Sequence, residues 1–285
     1  MFSGAQRERG TQGGRGGRRE GGGGASGGGR ARRGWRVIAA VAALFGLVVG
    51  SFLNVVIHRV PRRESIVWPT SHCPSCGEAI APRDNVPLVS YLLLRGRCRN
   101  CKESISVRYP LVEALTGGLF AAAAFRLGFG FELLWALVLI GVLVPLAAID
   151  LEHRLLPNVI VGPAAVAGFG LSVLVNPAWW WVYLLSMVGV AGSLFALVLV
   201  YPSGMGMGDV KMGGMLGAFL GPYAFLAVFV GALVGALTGG LLMAMGRIGR
   251  RSALPFGVFL AFGGLLTLFF GRDIWGSYLR LVGGV

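Results

Sequence analysis

Two aspartates, Asp150 and Asp209, each lie at the edge of a long apolar segment. The stretch from Ala114 to Gly246 that contains them has only seven charged residues. A charge at the centre of a membrane helix costs about 2.5 to 3.5 kcal/mol on insertion scales, and less near the helix ends, so a charge in such a segment usually has a function. Two carboxylates in similar surroundings indicate paired acid–base chemistry.

Asp150 ends one apolar segment, and Pro157 begins the next. If the helix continues for one more turn, Arg154 lies four residues further along the same face and can pair with the carboxylate. The alternative to a catalytic role is therefore a solvated turn with an ordinary ion pair. We interpret His153, in the same turn, as an interfacial residue.

Asp209 follows three glycines at alternate positions, Gly204, Gly206 and Gly208. Such a backbone can bend sharply and approach another chain closely. A phosphate-binding loop is disfavoured, because no soluble strand precedes the glycines and no Gly-Lys-Ser/Thr follows them; a plain flexible turn remains the alternative. Lys211 either holds the Asp209 carboxylate ionised or faces the lipid headgroups.

The two aspartates suggest the chemistry of an aspartic protease. Two carboxylates at close range cannot both ionise, so one acts as a base that activates water and the other as an acid that polarises the scissile carbonyl. Their titration then belongs to the pair rather than to either residue.

All four cysteines lie in one loop, as two Cys-x-x-Cys pairs separated by 21 residues: Cys73 with Cys76, and Cys98 with Cys101. This spacing is typical of a zinc site. Four thiolates complete a tetrahedral shell without water or His72, so we expect a structural site. Two disulfides are the alternative, and a reducing compartment disfavours them.

The composition predicts an all-α polytopic membrane protein. Hydrophobic residues make up 55% and charged residues 13% of the 285 residues, with a mean hydropathy of +0.71, whereas soluble domains have about 25% charged residues. A bilayer core takes about 20 apolar residues per helix. Eight candidate spans follow: Trp35–Ile57, Leu111–Phe125, Leu133–Ile149, Pro157–Val175, Trp179–Tyr201, Met212–Leu220, Tyr223–Met245 and Ala253–Gly271. The sixth is too short to span alone, and its merger with a neighbour would leave seven.

We predict four regions: a disordered Gly/Arg-rich tail at 1–34, the first span at 35–57, a cysteine loop module at 58–110 and a transmembrane core at 111–285. The module carries nine lysines and arginines, and with eight spans it lies on the same side as both aspartates. That side is therefore predicted to be cytoplasmic, although eight arginines in the tail fall on the other side. We expect contact with lipids but no nucleic-acid partner.

Six motifs in order resemble those of the bacterial prepilin peptidases, or type IV leader peptidases. The resemblance covers nearly the whole chain after the tail, and the Gly-x-Gly-Asp segment also looks like that of intramembrane aspartyl proteases in general. The motifs are Gly50–Pro61, the two cysteine pairs, Arg108–Glu113, Asp150–Asn158, Gly206–Lys211 and Leu254–Ala261.

The resemblance implies that Asp150 and Asp209 are the catalytic pair, with Gly206 and Gly208 in support. It implies that the substrates are type IV prepilins and type II secretion pseudopilins, whose basic leader is cut after a glycine at the cytoplasmic face of the inner membrane. In bifunctional members the new N-terminal residue is then methylated with S-adenosylmethionine. The resemblance links this activity to the loop module at 58–110 and leaves the contacts of the methyl donor unassigned.

Glu113 begins the second span and has three interpretations. It stabilises the new ammonium group of the substrate, or it braces the basic loop, or it is an interfacial acid paired with Arg108.

Two rival classes do not require proteolysis. A transporter would place acids near the membrane midplane and show repeat symmetry, neither of which the sequence shows. A non-catalytic membrane scaffold with a structural zinc loop would make both aspartates dispensable. The oligomeric state is not predicted.

Overall fold

The computed structural model describes residues 27–68, 71–73, 75–202, 204–247, 249 and 254–283. Within these ranges the chain forms α-helices and short 3-10 turns, with two isolated β-bridges but no strand. The helices are α1 (Gly27–Arg59), α2 (Val89–Leu93), α3 (Arg108–Leu127), α4 (Phe131–His153), α5 (Asn158–Val175), α6 (Trp180–Val200), α7 (Met207–Leu220), α8 (Tyr223–Ala244) and α9 (Phe256–Gly283).

Seven of the described helices are long and apolar enough to cross a membrane, namely all but α2 and α7. The prediction of an all-α multi-pass membrane protein is thereby confirmed. The structure thus has one span fewer than the eight predicted. The difference is the sixth segment, which is too short to cross a membrane.

That sixth segment is α7, and it remains a separate helix. Its 14 residues extend about 21 Å, short of the bilayer core of about 30 Å. Gly221, with a positive φ of 58° and ψ of −137°, and Pro222 separate it from α8. Eleven of its residues are buried, so α7 lies inside the bundle and does not have to match the thickness of the lipid.

The first helix starts before the predicted span. We predicted a disordered tail to residue 34, but α1 begins at Gly27. The helix of the apolar span therefore continues backwards beyond Trp35. The rest of that prediction, residues 1–26, lies outside the described residues.

The end of α4 and the starts of α3, α5, α7 and α9 lie at one end of the bundle. We refer to Asp150 and Asp209 together as the dyad, and to this end as the dyad end. Polar contacts join these helix ends: Arg108 to Glu152, Lys211 to Asn158, and the backbone of Val258 to Asp150. The side chain of Asn54 in α1 also reaches the carbonyl of Tyr109 in α3. Both aspartates and the cysteine loop therefore share one end, as the sequence predicted.

The opposite end is tied by charges on α3, α4 and α9. Arg126 pairs with Asp273, and Glu132 lies 4.0 Å from Arg272. These pairs are far along the helices from the dyad end, so their residues serve below as controls.

Glycines allow two helix pairs to pack closely. A Cβ on Gly46 of α1 would lie 2.8 Å from the Cα of Gly117 in α3. In α8, a Cβ on Gly231 would lie 2.7 Å from the carbonyl oxygen of Phe259 in α9, and Gly235 also faces Phe259, whereas Gly239 faces Leu254 just before α9. The four-residue spacing in α8 thus places two small residues against the last helix and a third against the segment that leads into it.

Gly231→Ala should destabilise the bundle by about 1 to 3 kcal/mol, because its methyl group collides with the α9 backbone. Gly240→Ala is the matched control in α8, since a Cβ there meets no atom within 4 Å and alanine favours a helix by up to about 1 kcal/mol. The measurement is the thermal unfolding midpoint of the purified protein in detergent. Equal midpoints for the two variants would contradict the close packing.

Candidate active site and metal centre

Asp150 lies in the last turn of α4 and is 5% exposed. Its Oδ2 accepts a hydrogen bond of 3.2 Å from the backbone N–H of Val258, in the first turn of α9. The N-terminus of a helix offers unpaired N–H groups and a partial positive charge. The start of α9 therefore compensates the buried carboxylate.

The alternative of an ion pair between Asp150 and Arg154 required one more helical turn, and the structure does not have that turn. Helix α4 ends at His153, and Arg154 adopts a left-handed conformation with φ 51°, donating its N–H to the carbonyl of Asp150. The helical face does not continue, and no ion pair joins the guanidinium to the carboxylate. His153 instead lies 3.9 Å from Glu152.

Asp209 is the third residue of α7 and is 8% exposed. Its Oδ2 accepts a hydrogen bond of 3.0 Å from the N–H of Gly206, which precedes the helix. This is the carboxylate half of a capping box, in which a side chain turns back to satisfy a free N–H at the helix start. Asp209 is thus held by the turn that leads into its own helix.

Close contacts bring the two aspartate segments together at Leu156. A Cβ on Gly208 would lie 3.0 Å from the Leu156 side chain, and a Cβ on Gly257 would lie 3.0 Å from it and 2.8 Å from Oδ2 of Asp150. The turn before Asp209 and the helix start that binds Asp150 therefore meet at one leucine side chain.

The glycines contribute by their small size rather than by unusual backbone angles. Neither Gly206 nor Gly208 has a positive φ, so the sharp bend that we expected from glycine is not what these residues supply. Gly208 permits close approach, whereas a Cβ on Gly206 would make only ordinary contact. Gly257 lies within the Leu254–Ala261 motif but was not predicted as a site residue. The sequence feature that could have identified it is Pro-Phe-Gly at the start of the last span.

The charged residues near the dyad have other partners than those predicted. Lys211 donates to Asn158 Oδ1 at 2.9 Å, which ties α7 to α5, and it forms no ion pair with Asp209. Arg108 binds both carboxylate oxygens of Glu152 at 2.6 and 2.7 Å rather than pairing with Glu113. Glu152 was not predicted as a site residue.

Glu113 contacts the loop module. Its Oε2 accepts a hydrogen bond of 2.8 Å from the backbone N–H of Leu88. The buried carboxylate therefore braces the loop, which is one of the three interpretations given for this residue.

The four cysteines form a group that could hold a metal ion. Their sulfur atoms all lie within 4.8 Å of one another, and those of Cys73 and Cys101 are 3.8 Å apart. Tetrahedral zinc with bonds of about 2.3 Å places its sulfurs about 3.8 Å apart. None of the four is in a disulfide. Without a metal the backbone N–H groups of Cys76 and Ser75 lower the pKa of Cys73 to about 6, whereas burial and the neighbouring thiols raise the pKa of Cys101, so the four sulfurs share their protons unequally.

The two cysteine pairs have the same local fold, repeated 25 residues along the chain. In each, the N–H of the first cysteine binds a carbonyl five residues later, Glu78 or Glu103. A residue with positive φ, Gly77 or Lys102, donates its N–H back to that first cysteine. Two equivalent turns thus face each other, as a four-sulfur site requires.

A cavity of about 680 Å³ lies between the loop module and the nearby ends of α1 and α3. It is bordered by Tyr91 and Tyr109, by Asn54 and Glu113, and by residues of both cysteine pairs. Its size falls in the range of small-molecule sites.

Comparison with known proteins finds two family matches. Residues 44–127 match the bacterial peptidase A24 N-terminal domain, and residues 137–242 match the type IV leader peptidase family. The four cysteines fall in the first range and the two aspartates in the second. No solved structure matches the chain at a significant level.

Several relatives carry the name prepilin leader peptidase/N-methyltransferase. The protein from Myxococcus xanthus is 44% identical over 226 residues, which cover 76% of this chain and 67% of that protein. The one from Pseudomonas aeruginosa is 38% identical over 271 residues, covering 84% and 93%. The one from Bacillus subtilis is 35% identical over 251 residues, covering 86% and 99%.

If the cysteines hold zinc, the purified protein should contain about one zinc per chain by elemental analysis. Cys76→Ser should lose the metal and expose the loop module to protease, because metal binding supplies much of the folding energy of so small a unit. Ser75→Ala, in the same turn, is the matched control. A Cys76→Ser protein with full zinc content and unchanged protease resistance would contradict the site.

Proposed function

The chain belongs to the type IV leader peptidase family, and on this premise we propose that it is a membrane-embedded aspartic endopeptidase for prepilins or pseudopilins. The observation that carries the proposal is the burial of two carboxylates, Asp150 and Asp209, at one end of a membrane bundle, on segments that both contact Leu156. An acid pair of this kind is what peptide hydrolysis by activated water requires.

In the proposed reaction the two carboxylates share one proton. The ionised one takes a proton from water, and the oxygen of that water attacks the scissile carbonyl carbon while the other aspartic acid protonates the carbonyl oxygen. Collapse of the resulting diol breaks the C–N bond, and the amine leaves with a proton from the pair. The N–H groups of Val258 and Gly206 each hold one Oδ2, which leaves the other oxygen of each carboxylate for water.

The position of the dyad suits a substrate with an apolar helix behind its leader. The helix can remain in the bilayer while the junction reaches the dyad end, and a glycine at the cut brings no side chain into a crowded site. The loop module, rich in lysine and arginine, lies at the same end. By the positive-inside rule we place that end at the cytoplasmic face of the inner membrane.

We also assign zinc to the four cysteines, with a structural role. Four sulfur ligands leave no open position for water or substrate. The metal would therefore hold the loop module over the cavity without taking part in cleavage.

Methylation of the new N-terminus is the second proposed activity. The residues around the cavity fit S-adenosylmethionine: Tyr91 and Tyr109 offer aromatic rings, and Asn54 presents a buried oxygen that has no partner. When bound, this molecule supplies an electrophilic methyl group on a sulfonium. The Arg108–Glu152 pair joins the helix that borders the cavity to the helix of Asp150, so the cavity and the dyad lie at the same end of the bundle.

Asp150→Asn and Asp209→Asn should each lower the rate of leader removal by a factor of about 10² to 10⁴ or more, because each removes an ionisable group from the proton transfers. The assay uses the full-length enzyme in detergent and a purified prepilin, with products resolved by mass. Asp273→Asn, at the opposite end of the bundle, is the matched control. Full cleavage by either dyad variant would refute the assignment.

Labelled S-adenosylmethionine in the same reaction tests methylation. The parent enzyme should label the mature N-terminus, and the dyad variants should label only substrate whose leader was removed beforehand. An unlabelled mature product would reduce the protein to a peptidase.

Gly257→Ala should slow leader removal by about tenfold or more, because a misplaced catalytic group is costly and the added methyl would lie 2.8 Å from Oδ2 of Asp150. Gly276→Ala, in the same helix, is the control, since a Cβ there meets nothing within 4 Å. Initial rates and unfolding midpoints are compared for both. Parent-like rates for Gly257→Ala would show that Asp150 does not need its observed position.

A further inference from the structure

The side of the cavity formed by α1 and α3 presents hydrogen-bond acceptors that have no cationic partner. Glu113 of α3 and Asn54 of α1 both border the cavity, and they are 7% and 1% exposed. Among the described residues, no lysine, arginine or histidine forms an ion pair with Glu113. A buried carboxylate without a counter-ion is unfavourable, so its retention at a cavity points to a ligand that supplies positive charge.

The side-chain amide of Asn54 supports this interpretation. Its nitrogen donates to two carbonyl oxygens, those of Gly50 at 3.3 Å and Tyr109 at 3.1 Å. Because carbonyls only accept hydrogen bonds, these contacts fix which end of the amide is nitrogen. The remaining atom, Oδ1, is buried without a partner in the structure, and such an atom calls for a donor.

The backbone at Leu88 is strained at the same place. This residue has φ 59° and ψ −47°, a conformation that a branched side chain rarely adopts, and its N–H is the group bound by Glu113. Strained residues persist where the surrounding structure holds them, and they concentrate at ligand sites. Glu113 therefore holds one wall of the cavity while facing its interior.

We propose that Glu113 and Asn54 bind a primary ammonium group, and that this group is the new N-terminus that leader cleavage leaves on the mature substrate. The inference rests on the proposed function and names the part of the substrate that the cavity recognises. An ammonium group matches the two acceptors in charge and in its three N–H donors.

The position of Glu113 favours the substrate as the source of the ammonium. Arg108 contacts Glu152, two residues beyond Asp150, and Glu113 lies five residues further along α3, about 7.5 Å along the helix axis. An N-terminus released at the dyad is thus freed at the same end of the bundle as Glu113. The amino group of the methyl donor has the same chemistry, so the experiment must separate the two.

Methyl transfer requires that the ammonium first lose a proton, because only the free amine has a lone pair. We assign that proton to the carboxylate of Glu113. The nitrogen lone pair then forms the new N–C bond, and the electrons of the broken S–C bond remain on sulfur, which becomes a thioether. No other reactant is needed.

The test measures binding to the full-length protein in detergent by calorimetry. The ligands are a peptide with the mature N-terminal sequence of a prepilin, the same peptide N-acetylated, S-adenosylhomocysteine, and methylthioadenosine, which lacks the amino-acid part. The parent should bind the free peptide about tenfold or more tightly than the acetylated one, and Glu113→Gln should bring that ratio close to one. Glu132→Gln, at the opposite end, should keep the parent's ratio.

Glutamine retains an oxygen for the Leu88 N–H, so the loop should stay folded, which unfolding midpoints check. Parent-like leader removal and lost methylation in Glu113→Gln would support the proposal. The proposal would be overturned if Glu113→Gln kept the parent's ratio of affinities for the free and the acetylated peptide. It would also be overturned if Glu113→Gln weakened only the binding of S-adenosylhomocysteine, because the ammonium group bound by Glu113 would then be that of the methyl donor. Failure of the parent to remove leaders would instead count against the proposed function itself.

Discussion

The structure depends on the need to satisfy two carboxylates that are buried near the end of a membrane bundle. A buried charge is tolerated only when hydrogen bonds or opposite charges compensate it. Among the described residues, no lysine or arginine forms an ion pair with either carboxylate. It comes from backbone N–H groups: Val258 at the start of α9 for Asp150, and Gly206 ahead of α7 for Asp209. The carboxylates can therefore stay close only if the end of α4 and the starts of α7 and α9 meet.

Small residues make that meeting possible. Gly208 and Gly257 bring the starts of α7 and α9 against Leu156, in the turn between α4 and α5. Because α7 is enclosed by other helices, its length need not match the bilayer, and Asp209 can sit where the site requires it. Two further polar contacts connect the dyad end to the loop module. Arg108 of α3 binds Glu152 of α4, and Glu113 of α3 binds the backbone of Leu88 in the module. Cleavage and the proposed methylation thus share one end of the molecule.

Much of this arrangement was predictable from local patterns. The apolar segments, the cysteine spacing and the cost of acids in apolar surroundings indicated the helices, the four-sulfur group and the two aspartates. Predictions about partners succeeded less well. Nearness in sequence suggested Lys211 as a partner of Asp209 and Arg108 as a partner of Glu113, but the structure pairs them with Asn158 and Glu152. It likewise suggested Arg154 for Asp150, and no ion pair joins those two residues. Long, flexible side chains take the partner that tertiary packing brings close, and spacing along the chain does not reveal it.

The sequence by itself determined which segments are apolar enough to enter a membrane, which residues carry chemistry, and that two equivalent cysteine turns can share a metal. These properties depend on residue type and short spacing. Only the tertiary structure decided that α7 is an internal helix, that α9 provides the N–H for Asp150, and that Glu113 and Asn54 face one cavity. Those contacts join residues up to 108 positions apart, and they follow from how helix ends pack in three dimensions rather than from any local preference.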